Sequence, residues 1–97
     1  MKICYEERQN MLNYKEAKEK AENFALANGC MINKAYEIDR AFMFDYEGDI
    51  IYTEGVPFVI EKESGNRFKQ FFYCNDHDIA WDDWVQLDFE TGEPLKK

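Results

Sequence analysis

The sequence predicts a single α+β domain of residues 1–97, with one N-terminal amphipathic helix packed on an antiparallel sheet of four to five strands. Three observations support this fold. Residues 13–29 carry a capped helical period, residues 41–46 alternate in hydrophobicity, and a Pro57-led apolar run ends at the turn residues 64–66. The length is enough for one hydrophobic core. A short acidic helix or loop completes the predicted domain.

The helix has a start signal, an apolar face and a stop signal. Asn13 suits the N-cap and Glu16 follows at N3, which is a capping-box arrangement. Gly29 suits a left-handed C-cap. The residues at core-facing spacing are Tyr14, Ala17, Ala21, Phe24, Ala25 and Asn28. Because the alanines are small, we expect this face to lie close against a sheet rich in aromatic rings.

The strands are predicted from period-two alternation and turn residues. Residues 41–46 place Phe42 and Phe44 on one face and Met43 on the other. Residues 30–39 are predicted to be a connection that opens with strand character at residues 31–32, and residues 50–53 suggest a short strand. Residues 1–10 suit an edge strand, a frayed arm or a short helical turn. Since proline lacks an N–H, Pro57 should lie at the start of the next strand, at an edge or at a bulge. A hairpin turn at residues 64–66 should return through residues 67–73.

The C-terminal segment combines acidic and aromatic residues. We expect Asp78 to cap a short helix over residues 79–86, with Trp81, Trp84 and Val85 on one side. A last short strand should then include Leu87 and Phe89.

Composition restricts the partners. The net charge of −8 and pI of about 4.6 oppose binding to nucleic acid phosphates or to an anionic membrane, and favour a basic protein. No apolar run approaches the roughly 20 residues of a membrane helix, and no signal-peptide core is visible, so we expect a cytoplasmic protein. Cys4, Cys30 and Cys74 are odd in number and widely spaced, so they predict reduced thiols and neither disulfides nor a metal site.

No pattern indicates catalysis, and we expect neither an enzyme nor a cofactor. His77 lies between Asp76 and Asp78, which could favour its protonated form, but no nucleophile lies beside it in sequence. The nearby aspartates lack the spacing and the late glutamate of a calcium loop.

The candidate site is an acidic, aromatic surface. Residues 76–93 hold seven carboxylates and no Lys or Arg. Tryptophan is enriched at interface hot spots, and surrounding carboxylates would attract a basic partner. The predicted partner-binding residues are Asp76, Asp78, Trp81, Asp82, Asp83 and Trp84. The alternative is that both tryptophans are buried and the aspartates only keep the segment soluble.

The order of elements resembles the YrhB-like immunity domains, also called immunity protein family 35. The resemblance covers about residues 13–65. It depends on the helix ending in Gly29, the Phe42-Met43-Phe44 strand, and the Gly55-Val56-Pro57 entry to a strand that ends near Ser64-Gly65. The segment from Arg67 onward departs from that family. The resemblance implies a non-enzymatic intracellular bacterial inhibitor that binds and neutralises a protein toxin, and the acidic segment would suit a basic toxin such as a nuclease.

Two other functions stay open at this point. The chain could be an acidic nucleic-acid mimic that inhibits a DNA- or RNA-handling enzyme, which would require carboxylates at phosphate-like spacing. It could also be a small structural or dimerisation module. Either a monomer or a homodimer fits the sequence, and the dependence of the size-exclusion mass on concentration distinguishes them.

Overall fold

A long helix and a five-stranded antiparallel sheet form the body of the protein, as predicted. The computed structural model describes residues 11–48 and 56–95. The elements are α1 (Tyr14–Asn28), β1 (Lys34–Ile38), β2 (Ala41–Asp45), β3 (Phe58–Glu61), β4 (Arg67–Lys69), α2 (Gln70–His77), a 3₁₀ helix (Trp81–Asp83) and β5 (Val85–Leu87). The strand order is β4-β3-β2-β1-β5.

Helix α1 begins and ends as its sequence predicts. The Glu16 N–H donates to the Asn13 side chain at 2.9 Å, and the Asn13 N–H donates to the Glu16 carboxylate at 3.1 Å, which completes the capping box. Gly29 adopts the left-handed conformation with φ 71°. Ala17 and Ala21 are fully buried. Because these alanine side chains are small, the middle of the helix lies directly on the sheet, while Tyr14 and Phe24 pack against the same cluster.

Strand β2 is central: β1 and β3 pair with its two edges, and a cluster of buried side chains covers each of its faces. Phe42 pairs with Ile60, and Met43 pairs with Val59. The predicted alternation is confirmed, but all four residues from Ala41 to Phe44 are buried because each face of the sheet is covered. The start of β3 immediately after Pro57 and the turn between β3 and β4 are also confirmed.

Two clusters of buried side chains form the core, one on each face of the sheet. The cluster under α1 contains Ala17, Ala21, Ala35, Phe42, Phe44, Phe58, Ile60 and Leu87. The cluster on the opposite face contains Ala41, Met43, Val59, Tyr73 and Trp84. Helix α2 and the 3₁₀ segment therefore form a second layer on this face, for which the sequence had suggested the C-terminal segment or a partner.

The predicted return strand over residues 67–73 is wrong after Lys69. The chain changes to helix α2 at Gln70, which places Tyr73 and Cys74 toward the second cluster. Ring residues at 68 and 71–73 fit a two-residue period and a helical period equally well. Burial of Tyr73 on the second face selects the helix.

The predicted helix over residues 79–86 is also wrong. Asp78 is the left-handed C-cap of α2, with φ 55°, and does not start a new helix. A single 3₁₀ turn follows, and the chain then joins the sheet as β5, in which Leu87 pairs with Ala35 of β1. This long-range pairing, which the local pattern does not encode, replaces the helix.

Several predictions lie at or beyond the borders of the described residues. The predicted connection over residues 30–39, with strand character at residues 31–32, is wrong, because β1 spans Lys34–Ile38. Residues 1–10 and 50–53, together with Cys4, fall outside the described ranges. Cys30 and Cys74 are free thiols, as predicted. Within residues 11–48 and 56–95, no helix is long and apolar enough to cross a membrane.

Candidate partner-binding surface

Trp81 is the exposed aromatic residue of the second layer's 3₁₀ turn. Its side chain is 57% exposed. One side of its ring approaches Tyr36 of β1, with ring centroids 6.0 Å apart and planes inclined by 49°. Tyr36 therefore supports the indole from the sheet and leaves much of it accessible. A large ring held from below and open to solvent is suited to contact another protein.

Trp84 does not belong to the exposed surface around Trp81, because it is buried. Only 8% of it is exposed, and it packs with Met43, Val59 and Tyr73 on the second face of the sheet. Its indole N–H has no hydrogen-bond partner among the described residues. The predicted grouping of both tryptophans on one surface is corrected here: the 3₁₀ turn directs Trp81 outward, and the start of β5 directs Trp84 inward.

The four predicted aspartates are exposed, but they are not equivalent. Asp76 lies in the last turn of α2 and Asp78 caps that helix. The Asp83 carboxylate accepts the Ala80 N–H at 2.9 Å and thereby closes the 3₁₀ turn. Among the described residues, Asp82 has no side-chain hydrogen bond and no ion pair. We call the exposed members of the predicted site the Trp81 patch: Asp76, Asp78, Trp81, Asp82 and Asp83.

The charge of the Trp81 patch is not neutralised by neighbouring cations in the described part of the chain. The three ion pairs there join Lys18 to Glu22, Lys34 to Glu47 and Lys62 to Glu37, so none includes a carboxylate from residues 76–93. Exposed carboxylates without paired cations produce a negative potential that attracts a basic partner.

A groove continues the acidic surface from the 3₁₀ turn toward the β1–β2 turn. Its volume is about 430 Å³, and it is lined by Glu37, Ile38, Asp39, Asp83, Val85 and Pro94. Lys62 holds Glu37 at 2.7 Å, while Asp39 is exposed. The groove therefore has apolar walls and an acidic margin, which suit a long basic side chain whose methylenes are buried and whose charge stays at the rim.

His77 contacts Arg40 and Tyr73 and connects helix α2 to the β1–β2 turn. Nη1 of Arg40 lies 2.8 Å from Nδ1 of His77. Because a guanidinium can only donate, Nδ1 must accept, and the ring proton is placed on Nε2. The imidazole also lies against the ring of Tyr73, with centroids 4.4 Å apart. These contacts fasten the end of α2 to the β1–β2 turn.

Tyr73 joins this cluster to the sheet. Its hydroxyl donates to the Glu61 carboxylate at 3.1 Å. Burial, together with the negative charge of Glu61, raises the pKa of Tyr73 to about 12. Glu61 also accepts from the Ser64 hydroxyl at 2.7 Å, so both groups hold the carboxylate in place. The arrangement stabilises the neutral phenol and anchors α2 over β3.

Metal ligation is not indicated where side chains can be described. Across residues 11–48 and 56–95, no group of three or more His, Cys, Asp or Glu side chains is arranged to hold an ion.

Sequence reasoning missed two exposed rings on α2. Phe71 and Phe72 are 66% and 58% exposed, and their rings meet edge-to-face with centroids 5.5 Å apart. The strand interpretation of residues 67–73 assigned these rings to two faces of a sheet. Helical spacing of Gln70, Tyr73, Cys74 and His77 was the signal that could have placed Phe71 and Phe72 on the outer side.

No protein-family model, curated protein or solved structure matches the chain. The resemblance to YrhB-like immunity domains stays a prediction.

Proposed function

We propose that this chain is a non-enzymatic binding protein of the immunity type, which binds and neutralises a basic protein toxin through the Trp81 patch. The observation that carries the proposal is the exposed Trp81 ring, supported by Tyr36 and flanked by exposed carboxylates that the described cations do not pair. The resemblance over residues 13–65 adds the toxin-inhibitor class.

In this proposal the carboxylates affect the association rate, and the Trp81 indole affects the lifetime of the complex. The carboxylates attract a basic surface over a distance of about one Debye length, roughly 8 Å at physiological ionic strength, and so raise the association rate. The indole then loses water against the partner and lengthens the lifetime of the complex. A toxin that acts on nucleic acid would offer a complementary surface, because it must itself be basic to bind phosphates.

The first experiment identifies the partner. Tagged protein is used to capture host proteins at low and at moderate salt, and the captured proteins are identified by mass spectrometry. The proposal predicts one basic protein that is lost as salt rises and whose toxicity is abolished by co-expression of this chain. Capture of a nucleic-acid-handling machine that is not toxic would contradict it and support the mimic.

The second experiment assigns the surface with charge-matched variants. Asp82→Lys changes a carboxylate without a described contact, so the fold should be retained and the association rate should fall several-fold at low salt. The control is Glu19→Lys, which makes the same charge change at an exposed position of α1, on the other side of the sheet. Equal effects of both variants would show that only net charge matters and would exclude the patch.

A further inference from the structure

We propose that the outer face of α2 is a second contact for the same partner. In this proposal, Phe71 and Phe72 enter an apolar pocket that Lys or Arg side chains surround. The inference rests on the basic partner of the proposed function and adds the apolar part of its binding surface. We call Phe71, Phe72 and Asp76 the α2 outer face.

The two rings are placed outward by the packing of the helix. Tyr73 is 2% exposed and faces the second cluster, and Cys74 packs beside it. Phe71 and Phe72 then necessarily lie on the solvent side, and their mutual edge-to-face contact restricts both rings before any partner arrives. Adjacent exposed phenylalanines held in one arrangement are typical of an interface anchor, since little side-chain entropy is lost on binding.

A groove beside Phe71 provides space for a partner side chain. Its volume is about 260 Å³, and its lining residues are Val56, Pro57, Lys69, Gln70 and Phe71. Most of this lining is apolar. An aliphatic or aromatic side chain of the partner can therefore insert between Phe71 and the start of β3.

Charge decides what kind of partner covers these rings. Asp76 follows Phe72 by four residues, so both side chains lie on one stripe of α2, about 6 Å apart along the helix axis. Asp76 takes part in none of the ion pairs of the described residues. A second copy of this chain would bring another net charge of −8 against the first. The net charge therefore favours a basic protein surface over a second copy. Asp76 is the carboxylate on the stripe of Phe72, and Lys69 is the cation of the groove beside Phe71.

The test uses a peptide of defined chemistry. The probe is a synthetic amphipathic helix of lysine and leucine, with all leucines on one face. One control peptide keeps the lysines and replaces every leucine with serine. The other keeps the leucines and replaces every lysine with glutamine. Titration calorimetry at low and moderate salt gives the affinity of the full chain for each peptide.

The variants distinguish peptide binding at the α2 outer face from non-specific binding elsewhere on the chain. The double substitution Phe71→Ala and Phe72→Ala should weaken binding of the lysine–leucine peptide by roughly 30-fold or more, since aromatic anchors dominate interface energy. Asp76→Lys should weaken it several-fold at low salt. Leu26→Ala is the control, because Leu26 is 82% exposed on α1 and lies outside this face. Both control peptides should bind the wild type far more weakly than the probe. Circular dichroism checks that each variant is folded.

The outcomes distinguish this inference from the proposed function. Wild-type affinity in the double variant, or an equal loss in Leu26→Ala, would overturn the inference. Equal affinity for the leucine–glutamine peptide would overturn the basic character of the partner. If a basic toxin captured from the host binds the double variant unchanged but loses affinity for Asp82→Lys, the proposed function stands and this inference falls.

Discussion

The opposite placement of the two tryptophans makes Trp84→Ala and Trp81→Ala a stringent pair of substitutions. Trp84 is 8% exposed, so truncation removes nearly all of its packing in the second cluster. The expected loss in the free energy of unfolding is about 3–5 kcal/mol, which includes the cavity left behind. Trp81 is 57% exposed and contacts the Tyr36 ring, so its truncation should cost about 1 kcal/mol.

These values translate into a large difference in thermal stability. For a domain of this size, each 1 kcal/mol lowers the midpoint by about 4–8 °C. The midpoint of Trp84→Ala should therefore lie roughly 12–40 °C below that of the wild type, and the midpoint of Trp81→Ala only about 4–8 °C below it. Urea unfolding followed by circular dichroism measures both free energies, and Trp fluorescence of the single-tryptophan variants reports which indole is shielded from water.

Equal losses in the free energy of unfolding for the two variants would refute this assignment of the tryptophans. If Trp81→Ala destabilised the fold as much as Trp84→Ala, both rings would belong to the core and the Trp81 patch would have no aromatic contact to offer.

Three further predictions concern the supports of the second layer and the C-terminal turn. Asp78→Gly should raise the free energy of unfolding by about 0.5–1 kcal/mol in urea titrations, because φ at this C-cap is 55° and glycine adopts it without strain; a lower stability would contradict the left-handed cap. Tyr73→Phe should flatten the fall in stability between pH 10 and 12. In the wild type the unfolded phenol ionises near 10 and the folded one near 12, so stability is retained below pH 10 and about 2 kcal/mol is lost as the pH rises through this range; identical slopes in stability-versus-pH curves would exclude the raised pKa. Gly92→Ala should destabilise by about 1–3 kcal/mol in thermal melts, since φ is 81° and the added methyl group would overlap the Tyr14 ring; an unchanged midpoint would show that this turn is not packed on α1.

Local signals were sufficient for α1 and β2, but not for β1, which spans Lys34–Ile38 and was not predicted there. The Asn13 and Glu16 capping box and the Gly29 C-cap determine α1 through hydrogen bonds between residues close in sequence. The alternation through Phe42 and Met43 assigns β2 to the correct faces because strand side chains alternate strictly. These predictions needed no knowledge of distant residues.

The second half depended on contacts between residues far apart in sequence. Phe71 and Phe72 fit a strand as well as a helix, and burial of Tyr73 against β2 and β3 decides between them. Similarly, β5 exists because Leu87 pairs with Ala35, about fifty positions earlier. The sequence pattern could not show which tryptophan would be buried, since that depends on where the 3₁₀ turn ends and β5 begins.

For the candidate site, the residue types were predictable but their grouping was not. The run of aspartates around Trp81 indicated an acidic surface from composition alone. That Asp83 closes a turn while Asp82 makes no described contact is visible only in the folded chain. The α2 outer face was missed because its residues were assigned to a strand.

The most direct measurement of the central claim is an amide NMR footprint of the isotope-labelled chain bound to the basic protein that it captures from its host. We expect cross-peak shifts to be concentrated in the Trp81 patch and on α2, with little change along the outer side of α1. We also expect that Trp81→Ala and Asp82→Lys, but not Glu19→Lys, weaken the complex. A footprint centred on α1, with Trp81 and Asp82 unperturbed, would contradict the account.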